Sequence, residues 1–539
     1  MKHSVKLAVI IGLILVLGWL IGCAQRAEEP ALREAMSEIS SRDLHAHIGF
    51  LASDELQGRD TPSLNLDVAG RYIQAEFEKY NLAPGGEDGK FRQPYIINAY
   101  PVINNNFNVT LSIKDKKRKL SKDEIIPLIS GLVGTSIEAT GSIVFAGYGI
   151  TAPERGWDDY QNLDVRGKVV LVMEGAPWEV DLDIPFGYDK LFGKWTNATL
   201  RGAVAFIFAT PAFLYAAPLM EKEEPESVSF ARSIVGEFIP LRKSVNPQIR
   251  WCVPGIAASF EVANTLVETA NQGSLRSLIE KTDKENKPIC FPLEQCQLSL
   301  KLEAEPEEKT AFNVIGIIKG SDPELAEEYI AITAHYDHLG VRRPVDGDAI
   351  YNGADDDASG TAGVLELAQA FSSLPEGARP RRSIIFLLVS GEELGIYGSA
   401  HYAENPTIPM SQIKANINLD MIGRYTEEGV EVIAPGSDWL ADMVTENAQS
   451  LELKTLPEQH PEWRLIYYSD QFPFIYYNIP AVFCFTGIHP DYHQPSDEID
   501  KLNFFAMEKI VKAVFLAGWK LANQDEIPPL TPPAYLVQQ

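Results

Sequence analysis

Ser383-Ile-Ile-Phe-Leu-Leu-Val-Ser-Gly-Glu-Glu-Leu-Gly-Ile-Tyr-Gly-Ser399 is an apolar run that ends in two adjacent carboxylates. Ile384 to Val389 has the length and the apolar content of a buried strand. Glu392 and Glu393 follow where that strand ends, and adjacent buried carboxylates repel each other unless a cation compensates their charge. One of them can hold a metal ion while its neighbour handles a proton. The residues alone leave open which carboxylate does which.

Strand-like and helical runs alternate along the chain from Phe312 onward. The runs are Tyr329–Thr333, Thr361–Phe371, Ser383–Val389, Ile413–Leu419, Trp439–Ala448, Ala481–Phe485 and Phe504–Leu521. This alternation predicts an α/β fold, a doubly wound mixed sheet with helices on both faces. Ligands of such sheets gather outside the carboxyl ends of the strands, where His335, Glu392 and Asp420 would emerge.

The rest of the chain divides around this α/β region. Asp43–Leu56 and Val68–Tyr80 have apolar residues at helical spacing and predict two amphipathic helices. Short β-rich runs between Asn108 and Leu300, separated by Gly, Pro and Asp turns, predict an inserted domain. The predicted order is a signal segment 1–23, a tether 24–41, an N-terminal part of the catalytic domain 42–130, a β-rich insert 131–305, the catalytic domain 306–525 and a proline-rich tail 526–539.

Composition and charge restrict the class of partner. The chain has 539 residues, of which 45% are hydrophobic, and this is enough for sizeable cores in more than one domain. Its formal net charge of -27 disfavours binding to phosphate backbones and to anionic membrane surfaces. We therefore expect no nucleic acid partner.

Residues 1–23 have the pattern of a signal peptide. Basic residues precede the apolar run Leu7–Ile21, and the segment ends in Leu20-Ile-Gly-Cys23, which resembles the bacterial lipobox, whose cysteine becomes the lipidated first residue. The alternative is an uncleaved anchor helix, but an apolar run of about fifteen residues is short for a bilayer core of roughly 30 Å. We expect an exported lipoprotein, anchored to a membrane through Cys23 and facing the periplasm or the cell exterior.

Four cysteines follow Cys23 in the chain. An exported compartment permits disulfides, but pairing among Cys252, Cys290 and Cys296 would leave one over. Cys484 lies in the strand-like run Ala481–Phe485 and is interpreted as a packed core thiol. No spacing among the four is that of a zinc finger.

His335 and Asp337 form a first polar cluster after an apolar run. They stand two residues apart, so on an extended segment both point to one face, and the carboxylate could orient the imidazole as a metal ligand. The plain alternative is a polar strand end. The run Asp355-Asp-Asp-Ala-Ser-Gly360 could be a solvated turn and helix cap, or it could supply the short, rigid carboxylate that bridges two cations.

Asp420 and a histidine cluster complete the set. Asp420 follows the run Ile413–Leu419, where the alternative is a turn aspartate at a strand end. His489 and His493 form the histidine cluster, and His493 lies in a loop, where without the other clusters it would be interpreted as a surface histidine.

Together these clusters predict a two-metal hydrolase. Three carboxylate ligands against two divalent cations leave about one positive charge, which favours bound hydroxide over water near neutral pH. Two imidazoles with three carboxylates suit zinc, with manganese or cobalt as substitutes.

The ordered motifs resemble those of one enzyme family. They are Ala334-His-Tyr-Asp-His338, Gly353-Ala-Asp-Asp-Asp-Ala-Ser-Gly360, Gly391-Glu-Glu-Leu-Gly-Ile-Tyr-Gly-Ser399, Asn418-Leu-Asp-Met-Ile-Gly423, Ser469-Asp-Gln-Phe-Pro-Phe474 and Tyr492-His493. Over residues 310–520 the chain resembles the co-catalytic di-zinc aminopeptidases related to glutamate carboxypeptidase II and the transferrin receptor. The resemblance implies two zinc ions per chain and a peptide substrate.

The resemblance also implies which residues hold the metal. One zinc would be held by His335, Asp356 and Asp420, and the other by Asp356, Glu393 and His493. Asp356 is the implied bridge because the family's bridging aspartate stands three residues before the serine that is Ser359 here. A cis peptide bond after Asp356 is implied as well. Gln471 stands where relatives often have histidine, but it is not an implied ligand.

Further roles follow from the same resemblance. Glu392 would be the general base and later the general acid, which takes a proton from the water between the zinc ions and passes it to the leaving amine. Asp337 would orient His335. A tyrosine commonly helps to stabilise the oxyanion, with Tyr492 the first choice and Tyr467 and Tyr468 as rivals.

The insert, with Phe145-Ala-Gly-Tyr-Gly-Ile150 and Gly167-Lys-Val-Val-Leu171, resembles the protease-associated domain of several family members. The expected function is an exported metallo-aminopeptidase. One alternative is a carboxypeptidase or dipeptidase for acidic peptides, with Arg424 as a candidate anchor for the substrate carboxylate. Others are a single-zinc glutaminyl cyclase and a non-catalytic binding ectodomain like the transferrin receptor, although such an ectodomain would have lost metal ligands.

Overall fold

The structure is a computed structural model that describes residues 30–99, 107–121, 124–128, 136–152, 155–178, 191–210, 253–270, 272–303, 307–460 and 465–531. The predicted signal segment and most of the tether lie outside these residues, as do Cys252 and the end of the tail. No helix within the described ranges is long and apolar enough to cross a membrane.

The described chain divides into two compact units. The first comprises the described residues up to Tyr95 together with Ala311–Gln459 and the residues from Ile466 onward, and the second comprises Ile96–Thr310 and His460–Leu465.

The strands are β1 (Ala83–Pro84), β2 (Arg92–Ala99), β3 (Phe107–Ile113), β4 (Lys116–Lys119), β5 (Ile125–Leu128), β6 (Ser136–Ala146), β7 (Thr151–Ala152), β8 (Trp157–Asp158), β9 (Val169–Met173), β10 (Ala205–Thr210), β11 (Gly255–Ser259), β12 (Cys290–Glu303), β13 (Glu307–Ile318), β14 (Tyr329–His335), β15 (Gly340–Val345), β16 (Asp348–Tyr351), β17 (Ser383–Val389), β18 (Ile413–Leu419), β19 (Val430–Ile433), β20 (Thr455–Leu456) and β21 (Ala481–Phe485). The α-helices are α1 (Ser41–Leu51), α2 (Leu64–Lys79), α3 (Leu191–Leu200), α4 (Phe260–Thr269), α5 (Leu275–Glu285), α6 (Ala358–Ser373), α7 (Tyr397–Glu404), α8 (Asp438–Ser450), α9 (Phe472–Tyr476) and α10 (Phe504–Asn523).

The first unit is built on a mixed sheet. Its strand order is β1-β13-β17-β14-β18-β21-β19-β20, and β2 pairs with β13. The central strands β17, β14, β18 and β21 are parallel. The outer strands β13 and β19 pair antiparallel to this group. The carboxyl ends of the four central strands therefore meet at one edge, where open α/β sheets bind their ligands.

Alternate side chains of the central strands enter two cores, one on each face of the sheet. Ile384, Phe386 and Leu388 belong to a core that contains residues of α1, α2, α6 and α10. Ile385 and Leu387 belong to a second core that contains residues of α7 and α9. A strand that is apolar on both faces is typical of a sheet covered on both sides. The predicted doubly wound mixed α/β fold is confirmed.

The second unit contains an eight-stranded sheet of order β4-β3-β12-β6-β9-β10-β11-β5, in which β6, β9, β10 and β11 are parallel. Helices α4 and α5 pack in one of its cores and α3 in another. The unit begins at Ile96, whereas the sequence placed the start of the insert at 131. The reason is that β3 pairs with β12, and this pairing draws residues before 131 into the second sheet.

The three described cysteines after Cys23, namely Cys290, Cys296 and Cys484, are free thiols. Cys290 and Cys296 are therefore not joined to each other. Cys484 is buried in β21 and is the packed core thiol that the sequence indicated.

Candidate metal centre

Four strand ends bring the predicted ligands to one edge of the first unit's sheet. His335 is the last residue of β14, and Asp420 follows β18 directly. Glu393 lies in the turn after β17, and His493 lies in the loop between β21 and α10. Asp356 precedes α6, so each ligand comes from the end of a different element. The alternation of strands and helices thus positions the site.

Asp356 presents its two carboxylate oxygens to two different imidazoles. Its Oδ1 is 3.3 Å from Nε2 of His335, and its Oδ2 is 3.2 Å from Nε2 of His493. The side chain is buried, and the peptide bond between Asp356 and Asp357 is cis. A buried carboxylate between two histidines has the arrangement of a bridge between two cations.

His335, Asp356 and Asp420 form one group of candidate donors. Nε2 of His335 is 3.3 Å from Asp356 and 3.7 Å from Oδ1 of Asp420, and the three donor atoms lie within 4.8 Å of one another. Bonds of about 2.0–2.2 Å in a tetrahedral geometry place two ligand atoms about 3.3–3.5 Å apart. The spacing in this structure fits one zinc-sized ion.

Glu393 and His493 form the second group with Asp356. Nε2 of His493 is 3.2 Å from Oε2 of Glu393 and 3.2 Å from Oδ2 of Asp356. His338 joins this group, because its Nδ1 lies 2.7 Å from Oε1 of Glu393, and His338, Asp356 and Glu393 also have donor atoms within 4.8 Å of one another. His338 is the last residue of the motif Ala334–His338, and the motif indicates no role for it.

Buried polar side chains fix the donor loops. Oδ1 of Asp357 accepts hydrogen bonds from the backbone N–H groups of Gly360, at 2.8 Å, and Met421, at 3.1 Å, while its Oδ2 accepts the N–H of His335 at 3.3 Å. Asp497 accepts the backbone N–H groups of Asp355 and Asp356. The hydroxyl of Ser469 donates to Oδ2 of Asp420 at 2.6 Å, which leaves Oδ1 facing His335.

Glu392 and Asp337 lie beside the donor groups. The backbone N–H of Glu392 donates to Oδ1 of Asp337 at 3.3 Å, and the hydroxyl of Thr61 donates to its Oδ2 at 3.0 Å. Nδ1 of His335 is 3.2 Å from the main-chain oxygen of Asp337 and 3.6 Å from its carboxylate. Asp337 is thus placed to orient the ring whose Nε2 faces the candidate ion position.

The buried charges of the centre perturb one another strongly. Burial disfavours protonation of His335, but the carboxylates of Asp337, Asp356 and Asp420 outweigh it and raise the pKa of that imidazole well above its usual value. In the same way, the carboxylates of Glu393 and Asp356 overcome burial and raise the pKa of His493 to about 10. The imidazoles therefore hold protons where a divalent ion would supply positive charge, and metal binding would release those protons.

The two adjacent glutamates differ in their environment. Burial favours the neutral form of Glu393, yet His493 and His338 lower its pKa to about 2. Burial raises the pKa of Glu392 well above its usual value. The charges of Asp470 and Glu393 raise this pKa further, whereas His335 lowers it. Glu393 therefore favours the charged form, whereas Glu392 is a carboxyl group that favours a proton.

Among the candidate tyrosines, Tyr492 lies against the donors. Its ring stacks on the ring of His493 with centroids 3.8 Å apart. Burial raises the pKa of Tyr492 well above its usual value, so its phenol keeps the proton that a hydrogen-bond donor needs. Tyr467 packs edge-on against Phe472, and Tyr468 is half-buried.

Arg424 is engaged within the protein. Its Nη2 lies 2.5 Å from Oδ2 of Asp491, and its backbone N–H donates to Thr486. Lys501 and Ser496 also bind the carboxylate of Asp491. An arginine that already neutralises a carboxylate of its own chain is a weak anchor for a substrate carboxylate.

The supporting residues were not found from the sequence. Ser469 is the first residue of the motif Ser469–Phe474, but nothing in its spacing indicates that it reaches Asp420. Asp497 follows His493 by four residues in a loop, and its backbone contacts depend on how that loop folds. His338 was detectable in principle, because it is a third polar residue at the end of the same strand as His335 and Asp337.

One protein family and several known proteins resemble this chain. Residues 313–517 match the model of Peptidase family M28. The chain is 26% identical over 248 residues to Aminopeptidase YwaD of Bacillus subtilis, a match that covers 44% of this chain and 50% of that protein. It is 36% identical over 114 residues to a probable zinc metalloprotease of Leptosphaeria maculans, which covers 21% of this chain and 25% of that protein. The matches thus span half or less of these curated relatives.

A solved structure shows the same fold over most of the chain. An aminopeptidase from Aneurinibacillus sp. strain AM-1 aligns with a TM-score of 0.52, covering 93% of this chain and 99% of that one. The sequence identity is 21%, so this likeness concerns the fold alone.

Proposed function

Because residues 313–517 match the model of Peptidase family M28, we propose that this chain is a zinc-dependent exopeptidase, an aminopeptidase that releases N-terminal residues from peptides. The observation that carries the proposal is the position of Asp356, whose two oxygens face two separate donor groups. The proteins that this chain resembles include a named aminopeptidase and a probable zinc metalloprotease.

Two zinc ions per chain fit the donor set. His335, Asp356 and Asp420 would hold one, and Asp356, Glu393 and His493 would hold the other. Imidazole nitrogens and carboxylate oxygens are ordinary zinc ligands, and buried carboxylates need such compensation. When bound, the ions would polarise the substrate carbonyl and lower the pKa of the attacking water, so that it becomes a nucleophile near neutral pH.

The protein's own groups would move the proton. Glu392 takes a proton from the attacking water and returns it to the nitrogen of the leaving amine, a role that suits a carboxyl group with a raised pKa. Asp337 holds Glu392 through its backbone N–H and orients His335. Tyr492 donates its phenol proton towards the oxyanion as charge develops there.

The charge of the site favours a substrate with a free amine. Beyond the five implied ligands, further carboxylates such as Asp337 and Asp355 are buried near the centre, whereas Arg424, the candidate anchor for a substrate carboxylate, is paired with Asp491. A cationic amine would be attracted to this region, and an acidic peptide tail would be repelled. This contrast supports the aminopeptidase over the carboxypeptidase alternative. The complete donor set likewise supports catalysis over a transferrin-receptor-like binding role.

Export belongs to the same proposal. The apolar run Leu7–Ile21 and the lipobox-like end at Cys23 support an exported lipoprotein that is anchored through the cysteine. The β-rich second unit is proposed to be a protease-associated domain, on the motifs around Phe145 and Gly167.

Paired reporters test the proposed function. The purified protein without residues 1–23, loaded with zinc, is expected to hydrolyse aminoacyl reporters and to leave the N-acetylated forms of the same reporters intact. Acetylation removes the positive charge that the acidic site attracts, while the scissile bond stays the same. Equal cleavage of both forms would contradict an aminopeptidase, and cleavage only at free C-termini would establish the carboxypeptidase alternative.

A further inference from the structure

His338 is a buried histidine at the metal centre that the five implied ligands do not include. We propose that its Nδ1 is a further ligand at the ion position of Asp356, Glu393 and His493. This inference rests on the proposed zinc centre. It makes that position one with four protein donors, whereas the other position has three.

The distances place His338 in the second donor group. Its Nδ1 is 2.7 Å from Oε1 of Glu393 and 3.8 Å from Oδ2 of Asp356. Its ring meets the ring of His493 nearly edge-on, with centroids 5.8 Å apart. His338, Asp356 and Glu393 satisfy the same donor spacing as His335, Asp356 and Asp420.

His338 and Glu393 form a close ion pair, but its geometry is not that of a hydrogen bond. Within the described part of the chain, Nδ1 and Nε2 of His338 and Oε1 of Glu393 all lack an aligned hydrogen-bond partner. A buried polar group without a partner is unfavourable, and a cation placed between nitrogen and carboxylate would engage both lone pairs. The 2.7 Å separation is shorter than the about 3.3–3.5 Å of two zinc ligands, so the Glu393 carboxylate would turn slightly aside when the ion binds.

The backbone holds the ring of His338 in this place. A Cβ at Gly353 would clash with the main-chain oxygen of Asp356 and with the ring of His338, so the close approach of both requires glycine there. The N–H of His338 donates to the main-chain oxygen of Arg59 at 3.3 Å. The fully buried guanidinium of Arg59 donates in turn to the carbonyls of Tyr336 and Gly353. These contacts fix the imidazole before any ion binds.

The two ion positions have four and three protein donors, and this difference implies different roles for the two ions. Zinc sites with four protein ligands are usually structural, whereas catalytic sites have three and keep an open position. The ion at Asp356, Glu393, His493 and His338 would be tight and closed. The ion at His335, Asp356 and Asp420 would bind less tightly and keep the open position for substrate.

The test combines a crystal structure of the zinc-loaded protein with chelator competition in solution. We expect Nδ1 of His338 within about 2.0–2.1 Å of one ion, located by anomalous scattering at the zinc edge. We also expect two classes of zinc affinity, of which H338A and H338Q weaken the tighter by more than about 100-fold, beyond the 10–100-fold loss for an outer partner. H45A, which removes an exposed histidine on α1, should change neither class.

H338Q separates a ligand from a positioning role, because glutamine can still donate a hydrogen bond to Glu393. Two bound ions with His338 more than about 3 Å from both would overturn the inference and leave the zinc centre intact. Near-native zinc affinity in H338Q would also overturn the inference and leave the zinc centre intact. A native protein that binds no zinc would overturn both the inference and the proposed function.

Discussion

Replacing Glu392 by glutamine is expected to lower kcat by about 10²–10⁴-fold, the usual contribution of a positioned general acid–base. Glutamine keeps the size of the side chain but cannot accept and return a proton. Glu393, not Glu392, belongs to the donor groups, so E392Q should retain the zinc content of the native protein. Steady-state kinetics and elemental analysis of the same preparation measure both quantities.

The matched control for this variant is E452Q, which makes the same chemical change at an exposed glutamate. We expect E452Q to have native kcat and native zinc content. If E392Q kept native kcat, Glu392 would not be the base. If E392Q lost zinc instead, its role would be that of a ligand.

Replacing Asp356 by asparagine is expected to damage both ion positions at once. The carboxylate of Asp356 faces His335 with one oxygen and His493 with the other, and an amide can offer only one of its two atoms as a ligand. Zinc affinity should fall by more than about 100-fold at both positions, and activity should be lost at zinc concentrations that saturate the native protein.

Thermal unfolding gives a reading of D356N that does not depend on activity. A ligand that binds only the folded state raises the Tm by an amount that grows with the logarithm of the ratio of ligand concentration to Kd, so added zinc should raise the Tm of the native protein far more than that of D356N. D88N, at an exposed aspartate in the short 3₁₀ helix Glu87–Gly89, is the matched control and should respond like the native protein. A variant that loses only one class of zinc site would show that Asp356 is not a bridge.

The strands of the first unit were predictable because they are continuous apolar runs with polar flanks. β17, β18 and β21 begin and end at the residues that the sequence indicated. The first helix was predicted to extend to Leu56 but ends at Leu51, and a short 3₁₀ helix, Asp54–Arg59, with Gln57 in the left-handed region follows it. Apolar spacing continues through such a break and does not reveal it.

Some site residues were likewise predictable from local sequence pattern, whereas others depend on contacts that only the fold creates. Strand ends indicated His335, Glu392, Glu393 and Asp420, but the choice between the two glutamates came from a family resemblance. The contacts distinguish them, because Glu393 faces His338 and His493 while the backbone of Glu392 binds Asp337. The contact between His338 and Glu393 joins residues far apart in the chain, and the spacing of apolar residues along a sequence does not predict such a contact.

Zinc stoichiometry tests the two-ion centre most directly. The purified protein, stripped of metal and titrated with zinc, is expected to bind two ions per chain by elemental analysis after removal of free zinc, with full hydrolysis of an aminoacyl reporter only at the second equivalent. Two ions with activity that follows the second would support a centre bridged by Asp356. Full activity with one ion, or no retained zinc, would contradict it.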